Sequence, residues 1–321
     1  MPEYSLGARP GPVKAQDKYI AQMVPVGATH PDSWQPKNMV KSQFQGDKPW
    51  CVDYAMGHGS ECQEWKERGR FEKMARGYLY NNREPQHYQG DGMIPEEALW
   101  LRRHKGIPRA AIGTIKTAAD ITPEMIADAL YQRLASYARV GSDDEVKTAL
   151  TLNGDYPNPV HICIPVYDSF YNCPGNGMLA LPDTSKETLH GYHEINIDYW
   201  IKDKQFDFRW AVQNWWWNWG DTQMADYAMA YMPPNYPIIE KWAAVDATIP
   251  APELDRIISF RAGDFFITVD GVRVNMDVPV KVEQGRTWLA LRFAAEGIGG
   301  YVKEWNDATA SGTIIIPGRG R

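Results

Sequence analysis

The chain has 321 residues, 44% of them hydrophobic and 23% charged, with a formal net charge of −6. That is enough for one large domain and a small one, in the range of folded globular proteins. The acidic balance argues against phosphate-neutralising binding to nucleic acid, no apolar run approaches the ~20 residues of a spanning helix, and four cysteines are too few for a disulfide framework.

Residues 1–36 are rich in glycine, proline and polar side chains and show little periodicity, so they read as an extended lead segment that wraps the fold. The first residues, Met1-Pro2-Glu3-Tyr4-Ser5, lack a charged and then apolar run, and no secretory signal is expected. Gln45 precedes Cys51 by six residues, with Gly46 and Pro49 between them in a loop. From Cys51 the apolar spacing turns helical through Val52, Ala55, Met56, Cys62 and Trp65, ending near Gly69. Cys51 would open that helix, where the dipole and unpaired N–H groups favour a thiolate. The side-chain amide of Gln45 could reach the same spot as an oxyanion donor. The pattern equally fits a buried helical cysteine.

Phe71–Tyr80 reads as a second amphipathic helix. After a polar loop with Gly92 and Met93, Pro95 opens a third helix to Lys105, stopped by Gly106. Its basic run Arg102-Arg103-His104-Lys105 reads as a solvated face. Residues 122–140 carry a helical pattern with Thr122 as the cap, and Ser142–Leu152 another, opened by acidic residues. Val160–Tyr167 reads as a strand. Residues 193–200 alternate as a half-buried strand should. His190 and His193 are three apart, but no helical zinc motif or third ligand accompanies them, so no metal is expected. Cys163 and Cys173 could pair across a turn; reduced thiols are the expectation. Asn214 sits in the run Gln213-Asn214-Trp215-Trp216-Trp217-Asn218-Trp219-Gly220. An amide inside such an apolar stretch must find partners.

Gln45, Cys51, the Gly92-Met93 loop, His193 and Asn214 occur in the order of the papain-like (C1) cysteine peptidases, and the resemblance spans about residues 36–236. It departs from the family at Trp50, at Glu194 after the histidine, and in the shortened Trp-Gly motif. The resemblance implies an α+β, two-lobed papain-like fold, with a helical lobe, a β-rich lobe and a cleft between them. It implies Cys51 as nucleophile, His193 as base, Asn214 as the group orienting that base, and Gln45 as oxyanion donor. Gly92, Met93, Glu194 and Trp216 would contact substrate, Trp216 also shielding the His–Asn bond from water. Glu194 could favour basic or polar substrates. An N-terminal segment in this family can block the cleft.

Residues 232–262 hold two proline-rich stretches and read as the end of that domain, 37–240, and a linker, 241–262. Beyond it, Phe265–Val274 surrounds Asp270-Gly271, a hairpin signal. Val278–Val282, Tyr301–Trp305 and Thr313–Ile316 read as strands and Leu289–Glu296 as a helix. Residues 263–317 resemble a small α+β stalk domain labelled copper amine oxidase N-terminal-like, found in cell-surface proteins. Copper is not implied, because no histidine follows His193 and no cysteine follows Cys173. The expectation is a cysteine endopeptidase without cofactor, acting on peptides or proteins. A cell-wall or virion partner could bind the C-terminal domain, and the location would be cytoplasmic or virion-associated. The alternative from the same residues is an inactive papain-like module with a binding role.

Overall fold

The computed structural model describes residues 5–14, 17–27, 29–84 and 90–245, and strand segments between 256 and 316. These fall into two units, Met1–Ile249 and Pro250–Arg321.

In the first unit, helix α1 runs Cys51–Arg68 and stops where Gly69 turns to φ +66 and donates its N–H to Trp65 O, a left-handed stop that glycine adopts without strain. Asp53, one turn into α1, accepts the N–H groups of Gly77 at 2.7 Å and Tyr80 at 3.1 Å. Its carboxyl therefore caps the short helix α2, Tyr78–Asn81. The longer helix expected from Phe71 does not form. Met74 pairs with Arg109 in an isolated bridge, and Gly77 sits at φ +87. Arg76 turns inward to Glu61, Nη2 to Oε2 at 2.8 Å, with both side chains buried. Glu61→Ala would leave that guanidinium buried without its carboxylate, a loss of about 3–5 kcal/mol. Thermal unfolding should show a Tm lower by roughly 10 °C.

Helix α3, Pro95–His104, starts at its proline with Glu96 and Glu97 in the first turn, as the sequence indicates. Its basic run is not wholly a solvated face. Arg102 is buried and donates to Gln63 Oε1 on α1. The helix expected over 122–140 is confined to α4, Pro123–Ala129, capped by Thr122 Oγ1 on Met125 N–H. The chain then forms strand β1, Tyr137–Arg139. A free sheet edge beside Trp242–Ala244 offers this backbone ladder partners, and tertiary pairing overrides local periodicity. Helix α5, Asp143–Thr151, carries the expected cap, Ser142 and Glu145 bonding each other's backbone N–H.

The remaining strands are β2 Val160–Tyr167, β3 Leu189–Asp203, β4 Asp207–Gln213, β5 Met229–Met232 and β6 Glu240–Ala244. They form one antiparallel sheet in the order β1-β6-β2-β3-β4-β5. The interval read as a linker, 241–262, therefore begins inside this sheet, because Trp242 and Ala243 pair with His161 and Val160. It ends in a strand of the second unit. β3 is not half-exposed as its alternation suggests. Glu194, Asn196 and Asp198 are all buried. Asn196 donates to Ala55 O at 3.2 Å and accepts at 2.7 Å from His161 Nδ1 or its tautomer, and His58 Nε2 lies 3.4 Å from Asp198. The polar stripe of β3 thus faces α1 rather than water. Gly59 permits the approach, since a Cβ there would lie 2.8 Å from the His161 ring.

The second unit is all strand among its described residues. β7 Arg256–Arg261, β8 Phe266–Val269, β9 Val272–Asn275, β12 Tyr301–Asn306 and β13 Ser311–Ile316 form a sheet in the order β12-β13-β7-β8-β9, while β10 Lys281–Glu283 pairs with β11 Arg286–Trp288. β8 and β9 pair antiparallel with Val269 opposite Val272, the register a two-residue Asp-Gly turn gives. Asp270 and Gly271 themselves, the expected helix Leu289–Glu296 and residues 278–280 of the expected strand lie outside the described residues.

Candidate active site

Cys51 is the first residue of α1 and is fully buried. Burial pushes its thiol up to about 12, against the backbone N–H groups of Glu194, Gly7 and Val52, which favour the thiolate. The helix start supplies the favourable field that the sequence implies. Water exclusion outweighs it in this arrangement.

His193 lies on β3, and Asn214 immediately follows β4, so the strand that carries each fixes their separation. His193 Nε2 sits 2.7 Å from Asn214 Oδ1. That oxygen also accepts the Trp215 N–H at 2.7 Å. An acceptor oxygen on Nε2 places the ring proton there and leaves the lone pair on Nδ1. The Nδ1 atom is buried and has no hydrogen-bond partner among the described residues. Trp216 stacks on the ring with centroids 4.4 Å apart at 28°, and Tyr171 stacks on Trp216 at 5.2 Å. Burial pushes His193 down to about 4, the Asn214 bond partly opposing it. Thiol and imidazole are therefore both neutral here. The N–H of Glu194, next in sequence to His193, faces the Cys51 sulfur, while the His193 Nδ1 itself makes no hydrogen bond to that sulfur.

Residues 5–11 lie against the loop before Cys51, the Gly92-Met93 loop and the start of β3. Ser5 O accepts from Gln45 Nε2 at 2.8 Å, the same amide also donating to Lys48 O at 2.9 Å. Gly7 O accepts the Met93 N–H at 2.7 Å, and Arg9 N–H donates to Met93 O at 3.0 Å. The two bonds form a parallel bridge at Ala8, whose N–H reaches Tyr192 O at 3.3 Å. Gly7 has no room for a side chain, since a Cβ would lie 2.1 Å from Pro49 O. Gly92 is at φ +95, and a Cβ there would lie 2.4 Å from Gly7 O. The segment is a backbone strap laid against backbone on both sides.

The structure pairs His193 with Asn214, aims the Glu194 N–H at Cys51, and joins Gln45, Gly92 and Met93 to residues 5–9, while Cys51 and His193 are not hydrogen-bonded to each other. Trp216 is 1% exposed and stacks on the His193 ring, a position that suits shielding the His–Asn bond. The ring that reaches solvent is Trp217, 62% exposed and edge-on to Phe44 at 4.4 Å. His190 does not join His193 in any ligand pair, because it bonds Asp168 at 2.7 Å. All four cysteines are free. Sequence reasoning missed Tyr192 and Glu240, which owe their place to strand pairing, and Gly7, which nothing in its neighbours Leu6 and Ala8 marks.

The copper amine oxidase N-terminal domain family matches residues 240–316. That stretch contains no histidine and no cysteine, so it does not offer the ligands copper favours. No curated protein sequence matches the chain. Among solved structures it is similar to xylellain, a cysteine protease from Xylella fastidiosa, at 16% identity and TM-score 0.61, over 75% of this chain and 95% of that one. It is also similar to proCathepsin B S9 from Trypanosoma congolense (14%, TM-score 0.55, 75% and 85%) and to digestive procathepsin L 3 of Tenebrio molitor larval midgut (16%, 0.52, 72% and 75%). With its helical lobe, its antiparallel sheet and these likenesses, the first unit has the papain-like cysteine protease fold, and the chain carries a copper amine oxidase N-terminal domain match beside it.

Proposed function

We propose that the chain is a cysteine endopeptidase kept latent by residues 5–11. The observation that carries this reading is His193, fixed by Asn214 under Trp216 with its Nδ1 lone pair unused, followed in the chain by Glu194, whose N–H faces the cysteine at the start of an 18-residue helix. With the strap gone, Nδ1 takes the Cys51 proton and the sulfur attacks the substrate carbonyl. Gln45 Nε2 and the Cys51 backbone N–H hold the oxyanion. The imidazolium returns its proton to the leaving amine as the C–N bond breaks, leaving a thioester. Water, deprotonated by the same nitrogen, releases the acid and restores the thiol. The strap's carbonyl from Ser5 now occupies the donor that the oxyanion would use. Two of the similar structures are titled as procathepsins, which supports reading the segment as a pro-segment.

The test is turnover of a mixed peptide library and of unfolded protein, wild type against Cys51→Ala, before and after the strap is displaced. Absence of turnover in every state would leave a binding module. Gln45→Ala is expected to lower kcat about 10²–10³-fold with little change in KM, as loss of one oxyanion donor does. Steady-state kinetics on one peptide checks it.

A further inference from the structure

Tyr80 and Arg83 form a brace behind the loop that receives the strap. Arg83 folds back over the Tyr80 ring, its guanidinium carbon 3.5 Å from the ring centroid. Its Nε donates to Tyr80 O at 2.8 Å, which fixes the fork at the end of α2. Its Nη1 donates to two carbonyls of the loop, Gly90 O at 3.0 Å and Gly92 O. Gly90 and Gly92 sit at φ +100 and +95, conformations that glycine adopts without strain. The Gly92 N–H in turn reaches the Tyr80 hydroxyl at 3.4 Å. The carbonyl between the two glycines has a different partner. Asp91 O accepts from Arg9 of the strap, Nε and Nη2 each at 3.3 Å. Met93 gives its N–H to Gly7 O and takes the Arg9 N–H on its own carbonyl. Alternate groups of one loop are thus tied to Arg83 and to the strap.

The brace leads back to the nucleophile. Trp50, the residue before Cys51, lies against the Tyr80 ring with centroids 5.5 Å apart. Asp53, two residues after Cys51, accepts the Tyr80 N–H at 3.1 Å. Gly77, which caps α2, is pressed on Trp50, since a Cβ there would lie 2.7 Å from the indole ring. All four cysteines are free, so no covalent bridge ties this loop to α1. Trp50 departs from the family pattern, and its contact with Tyr80 gives that departure a place.

Resting on the peptidase reading, we infer that Arg83 is a positioning residue: it holds the Gly90–Met93 loop in register with Cys51, so that the Met93 N–H and C=O grip an extended backbone. That backbone is the strap now and a substrate once the strap leaves. A guanidinium suits the task, because it is always charged, stacks on an aromatic face and carries donors in a rigid fork. A lysine ammonium is a point charge and cannot stack and span in the same way.

The test compares Arg83→Met, which keeps the length of the side chain without its donors, with Arg83→Lys, which keeps the charge without the fork. Both are made in the full chain, with and without Gly7→Val, and circular dichroism checks folding. In the strapped chain, iodoacetamide is expected to label Cys51 about tenfold faster in Arg83→Met, because the strap's bonds to Met93 loosen. In the Gly7→Val background, steady-state kinetics on one peptide should show KM raised about tenfold and kcat held within about threefold, the pattern of lost uniform binding. Arg83→Lys should fall between wild type and Arg83→Met on both readouts, and it carries the test where the methionine variant does not fold. A fall in kcat with KM unchanged overturns the inference, because it places the effect at the reacting groups. Unchanged labelling together with unchanged KM overturns it too, as does wild-type behaviour of Arg83→Lys on both readouts. If no variant cleaves any peptide, the peptidase reading fails by itself, and labelling decides the brace: faster in Arg83→Met keeps it as the holder of the strap, unchanged removes it.

Discussion

On the proposed peptidase reading, Cys51→Ala is expected to eliminate peptide hydrolysis, a loss on the order of 10⁵–10⁶-fold in kcat, with folding and Tm little changed. The size follows from the kind of group removed. A nucleophile acts as a unit with its base, and deleting either forfeits nearly the whole covalent route. The smallness of the structural effect follows from the site. Cys51 is buried, but the groups that favour its thiolate are backbone N–H groups, not a charged side chain, so alanine leaves no unpaired ion behind. His193→Ala should cost nearly as much activity, and the double variant no more than either alone. A double-mutant cycle on kcat/KM reads this directly. Additive losses would mean the two groups do not work together. Alkylation adds a second reading. With its thiol pushed up to about 12, Cys51 in the strapped chain should react slowly with iodoacetamide at neutral pH, because the thiolate is the reactive form.

Gly7→Val accelerates alkylation of Cys51 by about 10- to 100-fold. The new Cβ would fall 2.1 Å from Pro49 O and 2.6 Å from Pro49 C. These are backbone atoms of the loop between Gln45 and Cys51, and they have no side-chain freedom with which to yield. Forced overpacking of this sort costs about 1–3 kcal/mol. The cost falls only on the arrangement in which the strap lies against that loop, so it appears as a larger open fraction, tenfold for each 1.4 kcal/mol. Gly11→Val, where the nearest atom to a new Cβ is the Ile94 side chain at 3.0 Å, should do much less. The measurement is the labelling rate at fixed pH, mapped to Cys51 against Cys62 as an internal reference. Unchanged labelling in Gly7→Val would mean the segment does not control access.

Much of this arrangement was legible before any coordinates. Cys51 at a helix start, the acidic opening of α5, Pro95 at the head of α3 and the limits of β2 follow from local chemistry: dipole, cap, proline geometry and hydrophobic run. Cys51, His193, Asn214 and Gln45 are nominated together by their order along the chain. Other features were hidden for physical reasons. The failed helix at Phe71–Tyr80 depends on Arg76 reaching Glu61, a pairing fifteen residues apart that no periodicity encodes. The strand at Tyr137–Arg139 exists because β6 offers it an edge. The alternation of β3 suggested a wet face, yet Glu194, Asn196 and Asp198 face the polar backbone and side chains of α1. Glu240 was read as the last residue before a linker, and only the pairing of β6 with β2 shows it beside Cys163. Residues 1–36 read as a wrapping lead, and nothing in their composition marks residues 5–11 as the part that lies against the loop before Cys51.

The sulfur of Cys51 meets the Gly7 amide N–H, while the carbonyl held by Gln45 belongs to Ser5, two residues away. The carbonyl carbon that adjoins this N–H is that of Leu6, and its oxygen is not the one on the Gln45 donor, so a molecule in this state is a poor substrate for itself. If the chain is the peptidase proposed above, conversion is expected to begin between molecules, one already opened cutting another. Its time course should be sigmoidal, with a lag that shortens as protein is concentrated, and a trace of opened material should abolish the lag.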